Sequence, residues 1–467
     1  MKISDIKNTL KLKEWIGDSL SLTLLFAWTL TYPMHGFFLQ GVFGENAYEL
    51  GHFFSASHGL GLIAAGFLSQ HIVRSIKIIK LAGVAVFVLT AAWTFLPQVN
   101  LIKFGFCSFL GFSSAYLVIA WACRFIDNKA PALTLGVAMS LTNVLLGLVG
   151  FTNIPEAAVK TAAALSGLAP LAGAFYIARV KETKGPQIIP KEQKKIKAGF
   201  NTFMGVAFLA AIAYFSGGLW YRAVLPHFYS NWPNIIGIDC IIYAFAVLGL
   251  AFYARKRSFY WVGTISLSAL GIGLATSVIG LERPLVLAST LAFLAAGLGA
   301  LDLFYWLTLR KLSIFLGTQK SFGFGLGLSL FFITAPGIAL DTGVLTNPLA
   351  SPIAPVIGAC LLFLINPLLV LLLHPLSVSL PQYHEEPESF EEPAAQPIYP
   401  AFWHSLTNSE KNVYELICKG QTDAEIAADL IISRHTVKFH ARNILRKAGV
   451  SNRKELLAQL ADSRNTK

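Results

Sequence analysis

Charged residues are scarce in this sequence. Asp, Glu, Lys and Arg make up 13% of the 467 residues, whereas apolar residues make up 55%; soluble domains average about 25% charged residues. So low a charge content excludes a chain that is soluble throughout and indicates that lipid is its main solvent. The sequence also lacks a P-loop, a nucleophile elbow, a zinc motif and a kinase motif. We therefore predict that the protein is not an enzyme and that it needs no cofactor or metal ion.

Cysteine is also rare, and its spacing excludes two kinds of site. None of the five cysteines forms a C-x-x-C pair or a Cys/His pattern with metal-ligand spacing. The sequence therefore predicts neither a disulfide framework nor a zinc site.

Apolar runs of membrane-spanning length follow one another between residues 19 and 374. Crossing about 30 Å of hydrocarbon takes about 20 helical residues. The fold class we predict is all-α, with a polytopic membrane helical bundle of twelve spans. The predicted spans are residues 19–42, 51–70, 79–97, 101–122, 132–151, 157–178, 199–221, 235–254, 259–280, 284–307, 321–339 and 352–374.

The loops between these spans predict the orientation. With residues 1–18 placed in the cytoplasm as a leader retained in the mature chain, the inner loops hold most of the Lys and Arg residues, and loop 179–198 is the most basic. The outer loops then contain only Lys103, Lys160, Arg222 and Arg283. By the positive-inside rule, both ends of the chain should lie in the cytoplasm of a cell whose cytoplasmic membrane holds the protein.

Six spans, a long basic loop and six more spans form a layout that resembles the major facilitator superfamily. The halves are residues 19–178 and 199–374. The loop after span two keeps the family's Gly66, Leu68 and Arg74, but Gln70 replaces the usual acidic residue. The corresponding loop after span eight also lacks the acid. Since this acid helps to gate transporters of the family, the resemblance implies weakened or absent transport.

Ionisable residues inside spans are costly and therefore indicate function. Asp302 in span ten, next to Tyr305 and Trp306, is the leading candidate for a ligand-binding residue, and His35 in span one is a weaker one. For Asp302 the alternative, a structurally satisfied carboxylate, weighs equally; for His35 it weighs more.

Two further patterns in the spans predict packing. Trp121, Trp220 and Trp261 are typical of the aromatic belt at the membrane surface. The series Gly323, Gly325 and Gly327 indicates that span eleven packs closely against another helix.

Residues 375–403 are rich in Pro and Glu and predict an extended linker. The following residues, 404–467, read as four short helices. Thr407 with Glu410 and Thr422 with Glu425 fit the T-x-x-E capping box. Gly420 and Gly449 stand where helices one and three should end. Ser433 should cap helix three, and Ser451 or Asn452 helix four.

The third of these short helices has one apolar face and one basic face. Lys438, Arg442 and Arg446 follow one another at four-residue spacing, which makes a cationic edge suited to DNA phosphates. A helix of this kind, after a short helix and the tight turn 431–433, is typical of a helix-turn-helix that enters the major groove. The alternative is a small helical bundle with a solvated basic face, which the capping and spacing disfavour.

The segment resembles the LuxR-type (GerE-like) DNA-binding domain of bacterial transcription factors. The matching residues are Leu406, Thr407, Glu410, Val413, Gly420, Glu425, Ile426, Ala427, Leu430, Ser433, Thr436, Val437, Lys438, His440, Ile444, Lys447, Val450 and Arg453. The resemblance implies that Lys438, Phe439 and Arg442 approach base edges, while Thr436, His440 and Lys447 lie near the DNA backbone or pack. With Arg434 and Arg446, these residues form the predicted DNA-binding set. The resemblance also implies pairing of two domains through helix four, residues 453–460.

The hypothesis from the sequence is a membrane-bound one-component transcriptional regulator. The facilitator-like bundle would sense an unknown small molecule, and the cytoplasmic helix-turn-helix of a homodimer would bind double-stranded promoter DNA. The alternative is a secondary transporter of the facilitator type with an appended regulatory DNA-binding domain.

Overall fold

A computed structural model describes the protein in two compact units, residues 1–387 and 388–467. The residues described are 3–34, 36–96, 100–151, 154–179, 193–232, 237–256, 259–344, 353–379, 401–418, 421–430, 433–453 and 455–456.

Among its described residues, the regular structure of the first unit is entirely helical. Its helices are α1 (Ile3–Thr31), α2 (Phe37–Phe43), α3 (Ala47–Ala65), α4 (Gln70–Val73), α5 (Ile76–Phe95), α6 (Asn100–Phe125), α7 (Pro131–Phe151), α8 (Glu156–Ser166), α9 (Leu168–Arg179), α10 (Gln193–Asn231), α11 (Ile238–Lys256), α12 (Tyr260–Ser277), α13 (Pro284–Leu316), α14 (Thr318–Asp341) and α15 (Ile353–Ser379). A single 3-10 turn, Gly44–Asn46, joins α2 to α3.

Each predicted span overlaps at least one of these helices; span one runs from α1 into α2, and span six covers α8 and α9. Within the described residues, nine helical segments are long and apolar enough to cross a membrane, and α1, α3 and α12 are not among them. The predicted number of twelve spans therefore stays a prediction. At the end of the last span, α15 continues to Ser379, five residues beyond the predicted boundary at 374.

Close packing of span eleven is confirmed. A Cβ atom on Gly323 of α14 would lie 2.6 Å from the carbonyl oxygen of Leu62 and 2.8 Å from the Cα of Gly66. One on Gly327 would lie 2.9 Å from the carbonyl oxygen of Gly59. Because these neighbours are backbone atoms that cannot rotate away, the glycines are what allow α14 to approach α3.

The prediction that Trp121 belongs to an aromatic belt is wrong. Its side chain is fully buried, and Nε1 donates to the carbonyl oxygen of Asp18 at 3.1 Å and to Oγ of Ser21 at 3.2 Å. The ring stacks on Phe125 at 4.8 Å. Trp121 is thus a packing residue between α6 and α1, a role that its position near a span end did not reveal. Trp261 is 45% exposed on the helix surface, and the side chain of Trp220 lies outside the described residues.

A buried ion pair joins α1 to the end of α6. Nε of Arg124 lies 2.5 Å from Oδ1 of Asp18, and Nδ2 of Asn128 donates to Oδ2 of Asp18 at 2.9 Å. Both carboxylate oxygens are therefore satisfied, as the burial of a charge requires.

An arginine of α13 reaches the same end of α6. Arg310 donates through Nη2 to the carbonyl oxygens of Ile126 at 2.9 Å and Asn128 at 2.8 Å, and through Nε to that of Phe125 at 3.4 Å. These carbonyls follow the last turn of α6, where backbone acceptors lack helical partners and a cation is favoured. The contact links the predicted second half of the bundle to the first.

The second unit contains a 3-10 helix (Ala401–Ser405), α16 (Asn408–Cys418), α17 (Asp423–Asp429) and α18 (Arg434–Ala448). Arg453, Glu455 and Leu456 are also helical and belong to the predicted fourth helix. The unit has its own hydrophobic core, which contains Leu406, Val413, Tyr414, Ile417, Ile426, Val437, Ile444 and Leu456.

Both predicted capping boxes are confirmed. The amide of Glu410 donates to Oγ1 of Thr407 at 3.4 Å, and Oε2 of Glu410 accepts from the Thr407 amide at 2.8 Å. Thr422 and Glu425 repeat the pattern at 3.4 and 2.7 Å. For helix four, Oδ1 of Asn452 accepts from the amide of Glu455 at 3.0 Å, so Asn452 is its cap. Gly420 lies outside the described residues.

The Glu410 carboxylate also ties α16 to the end of α18. Nζ of Lys447 lies 2.6 Å from Oε2 of Glu410 and 2.8 Å from the carbonyl oxygen of Ser405. Burial by itself raises the pKa of Glu410, but the hydrogen bonds from Lys447 and Thr407 outweigh it and lower the pKa below its usual value. The contact fixes the position of α18 against the rest of the unit.

We expect E410Q to destabilise the 401–467 fragment by about 1 to 3 kcal/mol at pH 7, because glutamine keeps the capping box but leaves the Lys447 charge unpaired. The pKa of Glu410 is lowered in the folded state. Its contribution is therefore present above the unfolded-state pKa and lost as pH falls through the folded-state pKa. Urea unfolding should show a difference between the two proteins that is constant near neutral pH and shrinks below about pH 4.5.

The matched control is E425Q, which changes the other capping box on an exposed carboxylate that accepts hydrogen bonds from the amide and the hydroxyl of Thr422. It should cost less than E410Q. Equal losses for the two variants would contradict a special role for the Lys447 ion pair.

Candidate functional site

Helix α18 is held at both ends by local interactions. At its start, Oγ of Ser433 accepts from the amide of Thr436 at 3.1 Å, as predicted for an N-cap. At its end, Gly449 has a φ angle of 70°. The Gly449 amide donates to the carbonyl oxygen of Arg446, and the Val450 amide donates to the carbonyl oxygen of Leu445 at 3.1 Å. This is a Schellman motif, which needs a left-handed residue and so favours glycine. The predicted start and end of the helix are both confirmed.

The two faces of α18 differ in chemistry. Val437 and Ile444 are fully buried in the core of the unit, whereas Lys438, Arg442 and Arg446 are exposed. With a rise of about 1.5 Å per residue, these cations are spaced about 6 Å apart along one side of the helix. They form a cationic edge that no acidic side chain among the described residues neutralises.

Two other predicted DNA-binding residues lie on the open side of this helix. Phe439 follows Lys438 and is 61% exposed, an unusual state for a phenylalanine in a small folded unit. Arg434, in the first turn, is exposed as well. An aromatic ring beside cations can contact a thymine methyl group while the cations reach phosphates or guanine.

The remaining three predicted residues make contacts with other residues of the same unit. The hydroxyl of Thr436 lies 2.8 Å from that of Ser433. His440 is half-buried with its ring edge-on to Phe439 at 5.8 Å. Lys447 pairs with Glu410 at 2.6 Å. Of the two roles that the resemblance allows these residues, the geometry favours packing for Lys447.

Helix α17 precedes α18 with a short connection. It ends at Asp429 and α18 begins at Arg434, which is the spacing of a helix-turn-helix. Within the predicted turn 431–433, only Ser433 is among the described residues.

Sequence reasoning missed two contacts that support this unit. Arg453 donates to the carbonyl oxygen of Gln421, and its Nη1 lies 3.3 Å from Oδ1 of Asp423, which ties the start of helix four to the start of α17. Phe402 and Trp403 pack on Tyr414 with ring centroids 5.6 and 5.5 Å away.

In the membrane unit, Asp302 has two tyrosine partners from other helices. The hydroxyl of Tyr214 in α10 donates to Oδ1 at 2.7 Å, and that of Tyr243 in α11 donates to Oδ2 at 2.5 Å. Asp302 and Tyr243 are partly buried, and Tyr214 is buried. Neither tyrosine was predicted, since both are distant in sequence.

The other predicted ligand residues are less closely associated with Asp302. The hydroxyl of Tyr305 donates to the carbonyl oxygen of Gly325 at 3.1 Å, while its ring lies edge-on to Tyr214 at 5.7 Å. Trp306 packs against Phe26 at 5.5 Å and Trp121 at 5.9 Å. His35 lies outside the described residues.

Comparison with solved structures identifies the fold of the membrane unit. The chain is similar to the proton:xylose symporter XylE of the major facilitator superfamily, with 14% identity, a TM-score of 0.57, and coverage of 79% of this chain and 96% of that one. At this identity the likeness shows the fold alone. With the apolar helices described above, it makes the protein a multi-pass membrane protein with a facilitator-like bundle.

Comparison of sequences identifies the second unit. Residues 404–460 match the family described as "Bacterial regulatory proteins, luxR family". The spore germination protein GerE of Bacillus subtilis is 40% identical over 55 residues, which are 12% of this chain and 74% of GerE. A nitrate/nitrite response regulator protein homolog of Haemophilus influenzae is 49% identical over 49 residues, which are 10% of this chain and 24% of that protein. With its α17 and α18 geometry and this match to most of GerE, the chain belongs to the LuxR family of bacterial regulatory proteins.

Proposed function

We propose that the protein is a membrane-bound one-component transcriptional regulator. Its helix-turn-helix unit binds double-stranded promoter DNA, and its facilitator-like bundle senses a small molecule. The observation that carries the proposal is the exposed cationic edge of α18 in a chain whose other unit is a membrane bundle. In this proposal both ends of the chain lie in the cytoplasm, so DNA is bound at the membrane.

DNA binding by this unit is a matter of charge and shape. Lys438, Arg442 and Arg446 present one cation per turn, and each contact with a phosphate releases condensed counterions. Phe439 and Arg434 add groups able to contact bases. A single unit reads a short stretch of DNA, so pairing through helix four in a homodimer would extend the site over two half-sites.

Sensing requires that the ligand favours one conformation of the bundle over another. Rocking of the halves 19–178 and 199–374 is the two-state motion of this fold. Arg310 is suited to hold one of these states, because from its position on α13 it binds three carbonyl groups at the end of α6 and just beyond it. The signal would then pass through α15 and linker 375–403 to the DNA-binding unit.

A secondary transporter with a regulatory DNA-binding domain is the second candidate. The fold likeness to a symporter favours it, and the missing acids after spans two and eight disfavour it. Flux into proteoliposomes separates the two candidates. Robust uptake that the D302N substitution abolishes, while promoter occupancy stays unchanged, would support the transporter. The same result would contradict the sensor.

For DNA binding, we expect the 401–467 fragment to select a palindromic site from a genomic library. The K438A/R442A variant should lose that binding, with each substitution costing about 1 to 3 kcal/mol and lowering the slope of log affinity against log salt. Fluorescence anisotropy at several salt concentrations measures both quantities.

K411A is the matched control, because Lys411 lies on α16 and its ammonium sits 5.4 Å from the Trp403 ring rather than on the cationic edge. It removes one charge without changing α18. The proposed regulator would be overturned if the fragment selected no site. It would also be overturned if the K438A/R442A variant bound DNA as well as the unsubstituted fragment does.

For signalling, we expect R310A to change promoter occupancy by the full-length protein in cells by about tenfold, because losing a charged hydrogen-bonding group worth about 1.5 to 3 kcal/mol shifts a two-state equilibrium by that order. A promoter fused to a reporter gene gives the readout. K311A removes the neighbouring cation, which lies over the Phe259 ring at 4.1 Å within the second half, and should leave occupancy unchanged. The same response for both variants, or none for R310A, would contradict the role of Arg310.

A further inference from the structure

When it is ionised, the carboxylate of Asp302 has no positive partner among the described residues. Among the described residues, no Lys, Arg or His side chain forms an ion pair with it. Asp18 is different, since Arg124 lies 2.5 Å from it. A carboxylate inside a membrane bundle is costly without a positive partner, so a partner from outside the chain would stabilise this site.

Three helices converge to build the site. Tyr214 of α10 and Tyr243 of α11 each donate to one oxygen of Asp302 on α13. The approach of α11 depends on Gly299, where a Cβ atom would lie 3.2 Å from the carbonyl oxygen of Tyr243 and 2.8 Å from a methyl group of Val247. The glycine one turn from Asp302 is thus what brings the Tyr243 hydroxyl within reach.

The two hydroxyl groups leave acceptor capacity on the carboxylate. An ionised carboxylate has about four lone-pair sites, and the tyrosines occupy one on each oxygen. The remaining sites suit N–H donors. Asp302 and Tyr243 are both partly buried, whereas Tyr214 is 4% exposed. The site is therefore open on the side of Asp302 and Tyr243 and closed on the side of Tyr214.

The surrounding groups narrow the class of cation. Among the described residues, no group of three or more His, Cys, Asp or Glu side chains could hold a metal ion, here or elsewhere, and Ca²⁺ takes six to eight oxygen ligands. The tyrosines that contact Asp302, Tyr214 and Tyr243, bring aromatic rings to the site, and aromatic rings attract organic cations through their π faces. Aromatic rings and a carboxylate with free lone pairs together match a protonated amine.

We propose that the Asp302, Tyr214 and Tyr243 cluster is a binding site for a small organic ammonium ion that carries N–H donors. The ammonium group occupies the open side of the carboxylate, and its organic part contacts the tyrosine rings. This inference rests on the proposed sensing function and names the chemical class of the sensed molecule.

The test uses the full-length protein in lipid nanodiscs and a panel of primary ammonium ions of increasing size, from methylammonium to phenethylammonium. Each is paired with the neutral alcohol of the same length. Calorimetric titration should show binding of one or more ammonium ions and of none of the alcohols. D302N should weaken that binding by about tenfold or more, because the amide has no charge to offer. Y214F and Y243F should weaken it less.

D239N is the matched control. Asp239 is another buried carboxylate of the second half that accepts from a tyrosine hydroxyl, that of Tyr229. Its replacement should leave ammonium binding unchanged. Wild-type protein that binds no member of the panel overturns the proposal, and so does equal binding by wild type and D302N.

Two further outcomes would also overturn it, and thermal unfolding without any ligand identifies them. If the site takes a proton alone, the unfolding temperature of the wild type should vary with pH, and the D302N variant should lack that variation. Neither protein should then bind ammonium ions. A purely structural carboxylate would give a D302N variant that is less stable at every pH, again with no ammonium binding.

Promoter binding by the same preparations separates this inference from the proposed function. Ammonium binding that depends on Asp302 but does not alter promoter affinity would keep the site and reject sensing. Promoter binding without any ammonium binding would keep the regulator and reject the site.

Discussion

Burying charge in an apolar bundle is the constraint on which the rest of the membrane unit depends. Asp18 meets it with Arg124 and Asn128 from the end of α6. Arg310 meets it with three backbone carbonyls. In each case the partner comes from a different helix, so the compensation of charge also fixes how helices are placed. Asp302 has only two neutral hydroxyl groups as partners, and this difference is the basis of the proposed binding site.

In the second unit, by contrast, some charges are paired and others stay exposed. Glu410 and Lys447 are paired inside it, where they hold α16 to α18, but Lys438, Arg442 and Arg446 stay exposed along one edge. Like charges at four-residue spacing destabilise a helix slightly. The helix tolerates them because Val437 and Ile444 anchor its other face and because Ser433 and Gly449 satisfy its ends. Stability from the core and caps therefore allows the basic edge to stay exposed, as the proposed binding of DNA requires.

Sequence reasoning succeeded where the determinants are local. The caps of α16, α17 and α18 involve residues three positions apart, and the left-handed Gly449 follows directly from its place after the helix. The predicted spans overlap helices of the structure for the same reason, because the length of an apolar run is a property of a contiguous segment. The close packing of α14 could also be predicted from its glycine series, because small residues inside a span mostly serve to let helices approach each other.

It failed where partners are far apart in the chain. Tyr214 and Tyr243 lie 88 and 59 residues from Asp302, and no periodicity connects them. Trp121 was assigned to the membrane surface because tryptophan is common there, but its indole N–H found acceptors on α1 that the sequence could not place. The rule that intramembrane charges mark sites identified Asp302, but only the fold showed which groups surround it.

One helix joins the features that the proposed function needs. Asp302 and Arg310 are eight residues apart on α13, which corresponds to about 12 Å along the helix axis. Between them, Trp306 packs against Phe26 of α1 and Trp121 of α6. A rigid helix carries a displacement at one end to the other, and packed interiors transmit strain because they contain few voids. An ammonium ion that draws Asp302 toward itself would therefore act on the same helix that holds Arg310 against the end of α6. Under the proposed function, a binding event in the second half would reach the first half without any contact between the ligand and that half.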